Sequence, residues 1–128
     1  MNISDLIDSI NLDTDENFEE EDVLVFINDG IARINIECNA NFPFISEEDV
    51  EYTALPKKWI MMLIKPYASA KIKQNDSSQF EYIDYYSIFD NNLSRFKQYY
   101  EIPDEYKDEE AIDRVTFQDF SNHPFRWS

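Results

Sequence analysis

Apolar residues recur at helical spacing from residue 3 to residue 100, separated by short polar breaks. Ile3, Leu6, Ile7 and Ile10 open the series and predict a short first helix over 3–12, with Ser4 as its candidate cap. Asn11 to Asn17 is polar and reads as a loop. Val23, Phe26, Ile27, Gly30, Ile31, Ile34 and Cys38 then form an i, i+3, i+4, i+7 stripe, the clearest element in the chain. Asn17 and Glu20 have the spacing of a capping pair, and Glu19, Glu20, Glu21 and Asp22 suit the positive end of a helix dipole. Gly30 inside that stripe would cost about 1 kcal/mol relative to Ala, which predicts a neighbouring helix crossing closely there. Asn39, Asn41 and Pro43 stop the helix.

Residues 41–55 form a connection whose Phe42, Phe44 and Ile45 are expected to pack partly on the core. Pro56 suits the first turn of a third helix, with Trp59, Met62, Leu63, Tyr67 and Ala70 as its apolar face. Pro66 removes a backbone donor and should bend it. The run Gln74 to Ser78 is a turn, and Asp76 and Gln79 are again spaced as a capping pair. Tyr82, Tyr85, Tyr86, Phe89, Leu93, Phe96 and Tyr100 line a fourth helix that Pro103 ends. Beyond Asp104 the pattern changes, and Val115 to Phe120 alternates partly like a strand. The expected fold class is all-α. A bundle of three to four helices over 1–103 carries an extended C-terminal arm over 104–128, with that strand-like run inside it. Phe117, Phe120, Phe125, Arg126 and Trp127 make the arm a candidate docking element, on a neighbour or back on its own domain.

Composition narrows the function classes. The 128 residues make one domain, and ten Phe, eight Tyr and two Trp supply ample apolar burial. One glycine is too few for a phosphate-cradling loop or an all-β sandwich. A single cysteine excludes an intramolecular disulfide and a zinc knuckle. The first residues lack a signal-peptide pattern and no run spans a bilayer, so the expectation is a soluble protein made in a reducing cytosol. The net charge is −16 and unevenly spread. Residues 1–56 hold fifteen acids against one Arg, residues 57–100 hold seven cations against four acids, and residues 101–128 hold eight acids against three cations. Such a surface repels nucleic acid and anionic membranes. It reads as a solvated surface, as the wall of a DNA channel, or as a mimic of DNA.

Catalytic chemistry has little to stand on. His123 is the sole histidine and has no serine motif beside it. Cys38 lies on the apolar stripe of the second helix and reads as a structural thiol. Asp13, Asp15, Asn17 and Glu19 alternate as in a calcium loop, but Phe18 and Leu24 stand where glycine and the bidentate glutamate are required. The expectation is a non-enzyme with no metal and no cofactor.

Leu55-Pro56-Lys57-Lys58-Trp59, Leu63, Tyr67-Ala68-Ser69-Ala70, the Asn75-Asp76 turn and the helix with Phe89, Leu93 and Phe96 together form a pattern. It resembles the head–tail connector (adaptor) proteins of tailed bacteriophages. Phe26-Ile27-Asn28-Asp29-Gly30-Ile31 resembles their second helix, so the likeness covers about residues 20–100, through hydrophobic spacing rather than an invariant motif. The resemblance implies a virion protein of the neck: a homo-oligomeric ring of about twelve subunits beneath the portal. It implies an arm reaching portal, neck or tail neighbours, and DNA passing through the lumen without sequence-specific binding. Glu19, Glu20, Glu21 and Asp22 would then face solvent or the lumen, where repulsion acts within about 8 Å at physiological salt. The acidic first segment and basic middle segment would meet across the subunit joint. The alternative is an acidic DNA-mimic inhibitor of a DNA-binding enzyme, which explains the charge better but leaves the basic segment and the arm unexplained. An immunity or antitoxin partner would rest on acidity and small helical size alone.

Overall fold

The computed structural model describes residues 1–75 and 79–108. Four helices follow one another: Ile3–Thr14 (α1), Glu20–Cys38 (α2), a composite helix over 57–75 (α3) and Gln79–Tyr99 (α4), then a 3-10 turn at Asp104–Tyr106. The all-α bundle expected from the apolar spacing is the architecture observed. Among the described residues there is no β-strand, only isolated bridges between Asn2 and Glu51 and between Ala40 and Lys107. Phe117, Phe120, Phe125, Arg126 and Trp127, the strand-like run and the Asp76 cap lie outside the described residues.

The ends of α1 and α2 differ from expectation. Asn2, not Ser4, caps α1, its side-chain oxygen accepting from the Asp5 N–H at 3.0 Å. The helix also runs past Asn11 to Thr14 and closes on Asp15 in the left-handed region, φ 55°. Asn11 therefore sits inside the helix, and its side-chain amide clasps the backbone of Phe18, donating to the C=O at 3.3 Å and accepting from the N–H at 3.2 Å. Asn17 caps nothing: α2 starts at Glu20, and the residue before it, Glu19, makes no side-chain cap bond. Within α2 the predicted stripe holds, with Val23, Ile27, Ile31 and Ile34 fully buried and Phe26 and Cys38 half-buried. Asn39 ends the helix at φ 50°, a conformation Asn tolerates better than most residues.

α3 shows the expected apolar face, with Trp59, Leu63, Tyr67 and Ala70 buried and Met62 half-buried, and burial extends beyond that face to its neighbours. It packs on α1, α2 and α4 together. Ile60, Leu63, Ile64, Ala68, Ser69, Ala70 and Ile72 are all inaccessible to water, each large aliphatic stabilising by about 1.5–3 kcal/mol. Just before Pro66 the helix makes a π-helical turn over Ile60–Ile64, in which the Lys65 N–H donates to the Ile60 carbonyl. Pro66 has no N–H, and in an α-helical register the carbonyl it would leave open is that of Met62. Asn92 of α4 donates its side-chain N–H to that oxygen at 2.8 Å. The close crossing anticipated at Gly30 is with Tyr67 of α3: a Cβ there would lie 3.2 Å from the ring. Tyr67 in turn meets Phe89 and Tyr86 of α4 edge-on, at 5.1 and 5.7 Å between ring centres. On α4, Phe89, Leu93 and Phe96 are the buried part of the aromatic stripe, while Tyr82, Tyr85 and Tyr86 lie at its half-buried margin.

Two further asparagines hold the connection after α2. Asn35 clasps Phe42 through both backbone groups (3.1 and 2.8 Å), and Asn28 clasps Ile45 in the same way (2.9 and 2.8 Å). Phe42 and Ile45 are thereby buried, whereas Phe44 points outward. Residues 104–108, assigned to the arm from sequence, pack on the bundle. The Tyr106 ring lies 5.2 Å from Phe42, the Asn41 N–H donates to the Tyr106 carbonyl at 2.7 Å, and the Asp108 N–H donates to Asn39 at 3.1 Å.

Asn92→Leu should destabilise the chain by about 1–3 kcal/mol in denaturant unfolding, because the Met62 carbonyl loses its donor. In a Pro66→Ala background the loss should shrink, since a restored N–H can serve the same oxygen. Gly30→Leu should cost about 1–3 kcal/mol by overpacking against Tyr67. Gly30→Ala should cost less, its helix-propensity gain of about 1 kcal/mol offsetting a small shift of the ring.

Candidate functional site

Three segments converge at the start of α1 and α2. The Asn11 clasp on Phe18 fixes the approach to α2, and Phe18 stacks edge-on against Phe26 at 6.4 Å. The Asn28 clasp on Ile45 sets the start of a tight turn in which the Ser46 N–H donates to the Asp49 carboxylate at 2.9 Å. The chain then runs beside the N-terminal residues: the Ile3 N–H donates to Val50 and the Tyr52 N–H to Met1, both at 2.9 Å. Between these segments lies an open groove of about 780 Å³.

Its composition is one-sided. Ile3, Ile7, Leu24 and Val50 supply apolar surface, and Glu19, Glu20, Glu21, Glu47 and Asp49 supply carboxylates, with no Lys or Arg in the lining. Val50 is 67% exposed. None of those five carboxylates pairs with a cation among the described residues. Glu20, Glu21 and Asp22 occupy the first turn of α2, where each interacts favourably with the helix dipole by about 0.3–1 kcal/mol. Glu47 and Asp49 have no such role. Of the four acids singled out from sequence, all are exposed; Glu19, Glu20 and Glu21 line the groove and Asp22 does not. Glu47 and Asp49 were missed, because only the clasped connection brings them opposite α2.

A second hollow of about 220 Å³ lies at the other end of α2, lined by Glu37, Cys38, Asn39, Phe96, Lys97, Tyr100 and Ile102. Lys97 and Arg33 both pair with Glu37, at 3.6 and 3.2 Å. Burial pushes the Cys38 thiol up from its ordinary value, and Lys97 nearby opposes that only in part. The cations Lys57, Lys58 and Arg95, on α3 and α4, are exposed and pair with no described carboxylate. Among the described residues no group of His, Cys, Asp and Glu is placed to hold a metal ion, and no helix is long and apolar enough to cross a membrane.

No protein-family model, curated protein or solved structure matches this chain.

Since the Cys38 thiol is the protonated form at neutral pH and half-buried, Ellman's reagent should modify it more slowly in the folded chain than in the denatured one. Equal rates in the two states would show that the thiol is neither shielded nor raised.

Proposed function

We propose that this chain is a structural subunit of a phage neck, a head–tail connector that joins copies of itself head to tail below the portal and acts by binding rather than catalysis. The observation that carries this reading is the uneven spread of charge over the folded surface, with acids dominating α1 and α2. Asp5, Asp8, Asp13, Asp15, Glu20, Glu21, Asp22 and Asp29 stand exposed on α1, α2 and the link between them. The exposed cations Lys57, Lys58 and Arg95 stand on the other two helices, beside the exposed Glu81, Asp84 and Asp90 of α4, while α2 exposes Arg33. A head-to-tail joint needs two different and complementary surfaces on one subunit, and a closed ring is what such a joint produces when the rotation closes. The sequence likeness over residues 20–100 points the same way. The lumen-facing carboxylates would keep DNA hydrated and moving rather than held.

Sedimentation at low and at high salt, alone and with a portal assembly, tests the proposal. A ring-sized species should form alone or on the portal, and Lys57→Glu with Lys58→Glu should abolish it while leaving the helical circular dichroism unchanged. A chain that stays monomeric in all four conditions would overturn the connector. If that monomer also inhibited a DNA-binding enzyme, the exposed carboxylates would be those of a DNA mimic.

A further inference from the structure

The outer ridge of α2 carries apolar side chains that no other described residue covers. Val25 and Ile36 are 57% and 73% exposed, and Phe44 of the following connection is 58% exposed. All three lie on one side of the domain. Val25, Ala32 and Ile36 are spaced seven and four residues apart, which puts them on one line of the helix, opposite the buried Val23, Ile27, Ile31 and Ile34. Asn28 and Asn35 lie on one flank of that line, and their clasps on Ile45 and Phe42 run the connection antiparallel to α2. Phe44 is thereby set beside the middle of the ridge. Asp29 and Arg33, both exposed, lie on the opposite flank.

Charge selects the occupant. At 1.5 Å per residue, Val25 and Ile36 stand about 8 Å to either side of their common midpoint. Asp29 stands about 2 Å before that midpoint and Arg33 about 4 Å after it. We propose that the ridge is the seat of a second copy of this chain, the two α2 helices packing antiparallel about a two-fold axis at the midpoint. Such a contact is self-complementary. Val25 of each copy comes level with Ile36 of the other, and Asp29 of each comes within about 2 Å of the height of Arg33 of the other. The two Phe44 rings fall together on the opposite flank, and Ala32 lets the helices approach. Glu21, the other charged residue on the ridge, comes level with the uncharged Ala40. A parallel pairing would instead set Asp29 against Asp29 and Arg33 against Arg33. Arg33 bonds Glu37 of its own subunit through Nε at 3.2 Å, which leaves its terminal nitrogens to the second copy. This contact joins like surfaces, whereas a head-to-tail joint joins unlike ones, so it does not rest on the connector reading.

Sedimentation equilibrium of the full chain carrying Lys57→Glu and Lys58→Glu, the pair that blocks the head-to-tail joint, separates the two. At about 0.15 M salt, where charge repulsion is screened beyond about 8 Å, it should show a monomer–dimer equilibrium between micromolar and millimolar concentration. Ile36→Asp should abolish the dimer with the helical circular dichroism unchanged. Asp29→Arg or Arg33→Asp alone should weaken it by about tenfold, and the two together should restore it. Register is read by cross-linking in a Cys38→Ser background. A mixture of Val25→Cys and Ile36→Cys chains should form a disulfide dimer on oxidation. Neither chain should do so alone, because like positions lie about 16 Å apart across the axis, beyond disulfide reach. A monomer at every concentration, or a dimer indifferent to Ile36→Asp and to the charge exchange, would overturn the proposal. So would cross-linking of either single-cysteine chain with itself. A dimer with these properties and no ring on the portal would sink the connector reading alone.

Discussion

Because α1, α2 and α4 all pack on residues 60–72, α3 buries most of that stretch, and the half-buried Lys65 and Lys71 are its only charged residues. The chain meets this constraint with small residues and borrowed partners. Ala68, Ser69 and Ala70 let three helices approach closely, and Gly30 gives Tyr67 room against α2. The buried Ser69 hydroxyl reaches the Asp13 carboxylate at 3.4 Å, at the long limit of a hydrogen bond. The Met62 carbonyl, four residues before Pro66, accepts from the Asn92 side chain of α4. A large side chain at Gly30 would clash with Tyr67, and losing Asn92 would take a donor from the Met62 carbonyl, each at a cost in stability.

The same economy appears in the connections. With one glycine in the chain, tight turns are held by side-chain amides instead of by permissive backbone. Asn11, Asn28 and Asn35 each satisfy both the N–H and the C=O of one loop residue, doing for Phe18, Ile45 and Phe42 what a neighbouring strand would do. Fixing the connection at Ile45 places Glu47 and Asp49 opposite the start of α2. Packing on α3 consumes the buried stripes of its neighbours, while Leu12, Val25, Ile36, Phe44 and Val50 stay exposed among the charged side chains.

This division explains what could be read from sequence. The stripe from Val23 to Ile34 was legible because α2 has one buried face, the situation helical periodicity describes. The apolar face of α3 was legible at Trp59, Leu63, Tyr67 and Ala70, but the burial of Ile60, Ile64, Ala68, Ser69 and Ile72 around it depends on three helices packing there together. Caps failed at Ser4 and Asn17 because several Ser, Asn and Asp residues lie near each helix start, and the local pattern does not choose among them. The asparagine clasps were invisible, since their partners lie 7 to 17 residues away and carry no side-chain signature. Glu19, Glu20 and Glu21 were found through their run of charge, but their meeting with Glu47 and Asp49 depends on the fold.

All of these features follow from one central claim, that the domain is organised around a helix shielded by the other three. Native-state amide hydrogen exchange tests it most directly. The amides from Leu63 to Ile72 should exchange only through global unfolding, with the free energy measured by denaturant, while those of the 46–51 turn and the ends of α1 exchange through smaller openings. Exchange of the α3 amides at lower free energy than those of α1 or α4 would contradict a bundle built around α3.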